Sequence, residues 1–211
     1  MSPSTAPPRR PVTGAMLAGG RSRRFGRDKS TVELGGITFA QRITTALAAV
    51  CEEVFVVGGD PADHPALDIP FHGDLTPGRV GPLAGLQAAL HHATHPWCLL
   101  TACDTPAMDS AFIAWLVDRA LEAPPEADVV VPVTREGRPQ PLLAVYRRRC
   151  ASTVDALLAD GRLAMGGLLG ELRAHPLTAE VAAGSGHDLD RLAWNINRPE
   201  DLAAAAPTEG E

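Results

Sequence analysis

No two cysteines in this sequence are spaced as Cys-x-x-Cys; the four lie at positions 51, 98, 103 and 150. That spacing argues against a zinc ribbon or a redox dithiol. A chain of 211 residues also has enough core to fold without disulfides, so free thiols in a reducing cytoplasm are expected. Positive charge is not in surplus. The 19 Lys and Arg against 25 Asp and Glu leave a net charge of −6, which argues against a dedicated nucleic-acid binder. No apolar run approaches the length of a membrane span. Met1–Pro11 has prolines and arginines but no apolar h-region, so no signal peptide is expected there. No repeat stands out and no low-complexity linker splits the chain. What is left is an ordinary globular balance, 45% hydrophobic and 21% charged. We expect a single domain over residues 12–205, with loose ends at 1–11 and 206–211.

Strand and helix patterns alternate. Val12–Leu17 is a short apolar run ending in Ala18-Gly19-Gly20, a buried strand with a turn after it. Phe39, Ile43, Leu47 and Val50 fall at helical spacing and predict a helix over roughly 39–51. Val54–Val57 is a β-branched and aromatic run closed by Gly58-Gly59, and Ile69–His72 is a weaker strand. Pro82 opens a helix carrying Leu83, Leu86 and Leu90. Trp97–Thr101 is the next buried strand. Ser110 is placed to cap a helix with Ile113, Leu116, Val117 and Leu121. Strands at 129–131 and 142–146, a helix through Val154 and Leu158, and a last short helix from Pro199 to Leu202 complete the pattern. Strands that are apolar without alternation are buried on both faces. The fold class predicted is α/β, a three-layer α/β/α sandwich with a mostly parallel sheet. In such sheets ligands bind beyond the carboxyl ends of the strands, so the segments that follow the strands carry the functional reading.

After the first strand, the segment from Arg21 to Lys29 holds five basic residues and one acid, Asp28, on an acidic protein. Glycines let backbone N–H groups approach an anion closely, and Arg and Lys add full charge. Two familiar motifs are excluded. Arg27 and Asp28 separate Gly26 from Lys29, which breaks a Walker loop, and Gly19-Gly20 with Gly26 do not match G-x-G-x-x-G. This is an anion loop of a third kind; a solvated basic loop with turn glycines is the competing explanation. After the fourth strand comes Cys103-Asp104-Thr105-Pro106. An aspartate there suits Mg²⁺, which takes one or two carboxylates plus phosphates and water. After the third strand come Gly73-Asp74 and then Gly81-Pro82-Leu83-Ala84-Gly85 at a helix N-terminus. Close packing of that helix on the sheet through Gly85 is a competing explanation. In Trp194-Asn195-Ile196-Asn197-Arg198-Pro199 the alternation puts Asn195 and Asn197 on one face, as metal or phosphate ligands or, for Asn197, as a helix cap. His91 and His95 are four apart, but Pro96 disfavours helix at His95, so surface histidines are expected rather than a metal pair.

Leu17-Ala18-Gly19-Gly20-x-Ser22-x-Arg24-Phe25-Gly26-x-Asp28-Lys29 resembles the signature loop of sugar-phosphate and cofactor nucleotidyltransferases. Adding 81–85, 103–106 and Asn195-x-Asn197-x-Pro199-x-Asp201-Leu202 makes the chain similar to the molybdenum cofactor guanylyltransferase (MobA) family from about Val12 to Ala205. The resemblance implies a Rossmann-like nucleotidyltransferase fold. It also implies that GTP is bound by Leu17, Ala18, Gly19, Lys29, Asp74 and Asp104, with Mg²⁺ on Asp104, and that no covalent enzyme intermediate forms. The implied acceptor is molybdenum-molybdopterin, and transient contacts with cofactor-insertion proteins or molybdoenzyme chaperones are expected with it. Some positions depart from the family pattern. Phe25 stands where Met is usual, Val57-Gly58-Gly59 replaces an Asn-containing segment, and 160–163 has one Arg where relatives often have two.

The mechanism expected is attack by the terminal phosphate of molybdopterin on the α-phosphorus of GTP. Gly19 and Gly20 amides, Arg24 and Lys29 would hold the β- and γ-phosphates, and Mg²⁺ on Asp104 would bridge phosphate oxygens. The acceptor is expected beside 135–141, where Arg138 and Gln140 offer donors, with Arg162 as a second candidate. The alternatives are a cytidylyltransferase for the same cofactor, a guanylyltransferase for another phosphorylated metabolite, and a nucleotide-binding regulator without turnover.

Overall fold

The computed structural model describes residues 8–19, 28–75, 81–105, 107–162, 164–194 and 201. The chain opens with strand β1 (Arg10–Leu17), a small hairpin of β2 (Glu33–Leu34) and β3 (Ile37–Thr38), helix α1 (Phe39–Ala48), and strands β4 (Cys51–Val57) and β5 (Phe71–His72). Helix α2 (Pro82–His92), β6 (Trp97–Ala102), α3 (Ser110–Leu121), β7 (Val129–Val133) and β8 (Leu143–Arg147) follow. Helices α4 (Ala151–Ala159) and α5 (Met165–Glu171), strand β9 (Ala174–Thr178), and the short helices α6 (Ala179–Gly184) and α7 (Leu189–Leu192) come after them.

Seven strands form one sheet in the order β5-β4-β1-β6-β8-β7-β9. Every neighbouring pair is parallel except those made by β8, which runs against both β6 and β7. The expected mostly parallel sheet is therefore present, with one reversed strand in it. Side chains leave each strand alternately to two separate cores. Val12, Met16, Leu99 and Val145 pack with Ile43, Leu47, Phe112 and Leu116 under α1 and α3. Ala15, Phe55, Leu100 and Tyr146 pack with Leu83, Leu86, Leu90 and Val154 under α2 and α4. Burial on both faces is what the unalternating apolar runs encode.

Several boundaries differ from the sequence reading. Helix α1 stops at Ala48, because Cys51 already pairs with Arg10 in the sheet. Val50 is buried in the turn that joins them, so its helical spacing was coincidental. Asp109, not Ser110, caps α3: its extended backbone lets its side chain accept the Phe112 N–H at 2.8 Å, and Ser110 is the first helical residue. The expected strand 69–72 shortens to Phe71–His72. Strand β9 was not predicted, since Pro176 sits within it; as the outermost strand it tolerates a missing donor. The expected helix from Pro199 falls on residues of which only Asp201 is described.

The sheet registers align the strand ends. Leu17 pairs with Val57 and with Ala102, Val57 pairs with His72, and the Ala102 N–H donates to the Leu142 carbonyl at 3.1 Å. Because β8 is reversed, its start lies beside the end of β6, with Thr101 opposite Leu143. One edge of the sheet thus carries Gly58-Gly59, Ala18-Gly19, Cys103-Asp104 and the approach to β8 from Gln140.

Candidate active site

The first loop leaves the sheet at Ala18 and returns as a single 3-10 turn, Lys29–Thr31. Asp28 caps that turn. Its Oδ1 accepts the Ser30 N–H at 2.9 Å and the Ser30 hydroxyl at 2.7 Å, the local geometry that Asp favours. The capped turn presents the side chain of Lys29 to the end of β6. There the Lys29 Nζ lies 3.2 Å from Asp104 Oδ2, with 15% and 22% of the two side chains exposed. The two candidate residues, 75 positions apart in sequence, therefore meet at the carboxyl edge. Asp104 is not a helix cap, since α3 begins six residues later.

The loops beside this pair pack through backbone. Gly58 has φ +76°, and a Cβ there would drive into the Ala18 carbonyl oxygen. Gly19 has φ +86°, and a Cβ there would lie 2.9 Å from the Gly59 nitrogen. Only glycines allow both the left-handed backbone and this approach. Val57-Gly58-Gly59, a departure from the family pattern in the sequence, is here a seat for the first loop. Gly81, with φ +82°, precedes helix α2 and gives it no side-chain cap. Gly85 is pressed against Leu17, with a Cβ position 2.8 Å from its Cδ2, so its packing role is evident.

A cavity of about 420 Å³ opens beside Asp104. Asp104, Thr105 and Gln140 bring polar atoms to it, and Pro82, Pro141, Leu142, Leu143, Ala164 and Met165 supply apolar wall. A smaller cavity of about 210 Å³ adjoins it through Ala164 and is lined by Arg162. Of the three acceptor candidates, Gln140 faces the main cavity and Arg162 the smaller one. Arg138 is exposed and ion-paired with Glu136 at 2.9 Å, while its carbonyl accepts from Gln140 Nε2 at 3.2 Å. Asp74 lies just past β5, exposed, three strands from β6 and so about 14 Å across the sheet. Gly20, Arg24, Asn195 and Asn197 lie outside the described residues.

The cysteine beside Asp104 is not an activated nucleophile. Burial pushes the Cys103 thiol up to about 12, and the Asp104 and Asp28 carboxylates push it the same way. It stays protonated at neutral pH and is a poor nucleophile. No three His, Cys, Asp or Glu side chains cluster as a metal site among the described residues. His91 pairs with Asp155 at 3.1 Å and His95 with Glu52 at 3.7 Å, so the two do not converge on a metal. Two features escaped the sequence reading. The cavity wall at Ala164–Met165 is brought by α5, which has no distinctive signal. The link from Ser30 to His64 at 3.1 Å joins residues 34 positions apart, and no local pattern announces it.

Residues 14–176 match the family described as MobA-like NTP transferase domain. A molybdenum cofactor guanylyltransferase of Desulfosudis oleivorans is 35% identical over 195 residues, covering 92% of this chain and 94% of that one. A probable molybdenum cofactor guanylyltransferase of Mycobacterium marinum is 37% identical over 163 residues, covering 74% and 78%. The crystal structure of molybdopterin-guanine dinucleotide biosynthesis protein A from Archaeoglobus fulgidus superposes with a TM-score of 0.76 at 26% identity, covering 92% of this chain and 96% of that one.

Proposed function

The chain belongs to the MobA-like NTP transferase family and is an enzyme of the nucleotidyltransferase type; from that premise we propose that it transfers GMP from GTP to the terminal phosphate of molybdenum-molybdopterin, releasing pyrophosphate. The observation that carries the reading is the Lys29–Asp104 pair at 3.2 Å beside a cavity of about 420 Å³. The cytidylyltransferase alternative is not favoured, because the relatives named above are guanylyltransferases.

The acceptor phosphate is already anionic, so the enzyme needs no strong base. Its work is to bring two polyanions together and to stabilise charge in the transition state. Lys29 exchanges the Asp104 carboxylate for phosphate oxygens when GTP enters. Its ammonium then sits where negative charge builds on the departing pyrophosphate. Ala18 and Gly19 offer backbone at close range, held there by the Gly58-Gly59 seat. Gln140 and the apolar wall through Met165 receive the acceptor and keep water from the reacting phosphorus.

Asp104 fits a divalent cation in one respect that the structure supports: a single carboxylate at a strand end, flanked by space for substrate phosphates. Magnesium, when bound there, would neutralise phosphate charge and polarise the α-phosphorus. Asp104 would hold it, with Asn195 and Asn197 as further candidates.

The test is pyrophosphate release and thermal stabilisation with Mg²⁺ and each of GTP, ATP, CTP and UTP, with and without molybdenum-molybdopterin. GTP alone should raise the melting temperature, since a ligand that prefers the native state stabilises it. Pyrophosphate should then appear only with the acceptor. Equal shifts with all four nucleotides, or a larger shift with CTP, would remove the base assignment.

A further inference from the structure

The segment that leaves β4 touches the first loop at both of its ends. At the start, Gly58 and Gly59 seat against Ala18 and Gly19. At the finish, His64 reaches Ser30, the residue after Lys29, with its Nε2 3.1 Å from the hydroxyl. His64 is 4% exposed, and its ring stacks on Phe71 at 5.7 Å between centroids. A buried imidazole needs a hydrogen-bond partner, and Ser30 supplies it.

The direction of that bond follows from proton counting. Ser30 has one hydroxyl hydrogen, and it goes to Asp28 Oδ1 at 2.7 Å. Toward His64 the hydroxyl can only accept, so the Nε2 of His64 carries a hydrogen and donates it. The chain of bonds runs from His64 through Ser30 to Asp28, whose Oδ1 also accepts the Ser30 N–H. Such chains polarise one another and stiffen the backbone that carries them. Lys29 lies inside this clasp, between Asp28 and Ser30.

We infer that His64 is a positioning residue for Lys29: it donates to Ser30, fixes the Asp28–Ser30 turn, and so aims the Lys29 ammonium at the end of β6 where the triphosphate is held. This rests on the reading of Lys29 under Proposed function. His64 touches neither substrate nor metal in this account.

Two substitutions separate the roles of the ring. His64→Phe keeps the stack on Phe71 and removes the donor. His64→Gln keeps an N–H donor and removes the aromatic ring. If His64 positions Lys29, His64→Phe lowers kcat/KM for GTP about 10-fold to 100-fold, as sub-ångström misplacement of a catalytic group does, and leaves the KM for molybdenum-molybdopterin unchanged. His64→Gln recovers to within about threefold of the starting enzyme, and on a Lys29→Ala background His64→Phe costs almost nothing more. Ser30→Ala removes the acceptor of the same bond with little change in volume and is expected to match His64→Phe, which covers the case in which that variant does not fold. A merely structural role predicts the reverse order, with Phe tolerated and Gln damaging, and that result overturns the inference. So does a full additional loss from His64→Phe on Lys29→Ala. Lys29→Ala with undiminished turnover overturns the reading of Lys29 itself, and the inference with it. A deficient Lys29→Ala beside a fully active Ser30→Ala overturns the inference alone.

Discussion

At the scale of single residues, the pairing of Lys29 with Asp104 decides most. Each side chain is the other's neighbour at 3.2 Å, so removing one takes an opposite charge from a partly buried neighbour and, on the proposed reading, a contact from the substrate. Lys29→Ala and Asp104→Ala should each lower kcat by about 10²-fold to 10³-fold, the cost of losing one preorganised electrostatic contact. Steady-state pyrophosphate release measures it, and wild-type turnover in both variants would end the mechanism. Asp104→Asn keeps the shape and a weaker oxygen ligand, so its turnover at saturating Mg²⁺ should exceed that of Asp104→Ala. The two residues were legible in the sequence because each follows a buried strand in a segment whose composition serves an anion or a cation. His64 was not legible, because its partner is fixed by folding alone. Nor was the role of Gly58-Gly59, since a sequence shows that a turn is permitted but not what presses against it.

At the scale of elements, Gly58 gives a sharp test. Gly58→Ala forces a Cβ into the Ala18 carbonyl at a backbone conformation that L-residues avoid. It should destabilise the protein by about 2–3 kcal/mol in urea unfolding. Gly36→Ala is the control: its φ of +74° carries the conformational cost, but no atom lies near its Cβ position, so the loss should be smaller. A second element-scale prediction concerns β9. Asp128 accepts from Arg149 at 2.8 Å and from the Arg173 backbone and guanidinium at 3.1 Å, tying the far edge of the sheet together. Burial raises its carboxyl pKa, but the bonds from Arg173 and Arg149 outweigh that and hold it below the ordinary value. The stabilisation is therefore present above about pH 4, the unfolded value, and is lost as pH falls through the lower folded value. Asp128→Asn should cost about 1–2 kcal/mol at pH 7, and the difference from the parent should shrink progressively as pH is lowered below about 4, read from urea midpoints across a pH series. The elements themselves were legible in proportion to their burial. Central strands and the long helices carry continuous or periodic apolar runs, whereas β9 with Pro176, the hairpin of two-residue strands and the short helices α5 to α7 do not reach that threshold.

At the scale of the whole molecule, buried thiols set an alkaline limit. Burial raises Cys51 and Cys150 to about 12, and Cys103 likewise; in the unfolded chain a thiol titrates near 8.5. The folded state thus holds these protons longer. The associated stability is complete below about pH 8.5 and declines as pH rises toward 12. Urea midpoints should fall steadily across that range. Cys51→Ala should flatten the fall, and an unchanged slope would mean that the thiol ionises as readily inside as outside. The sheet order also divides the molecule: β4 and β5 lie on one side of β1, where Gly58-Gly59 meets Ala18-Gly19, whereas β6 and β8 on the other side bring Ala102 and Leu143 to the cavity.

The reversed direction of β8 has a practical outcome for redesign. Because β7 ends and β8 begins on the same rim, the connection between them, 134–142, brings Gln140, Pro141 and Leu142 to the cavity and is tied to the sheet at both feet, by Gln140 N–H to the Pro132 carbonyl and by Ala102 N–H to the Leu142 carbonyl. It is an exchangeable rim segment. With the acceptor seated beside Gln140 as proposed, a chimaera that takes this connection from a relative with a different phosphorylated acceptor, while β1 and β6 stay as they are, should inherit the donor's appetite for acceptor and retain this chain's choice of nucleotide.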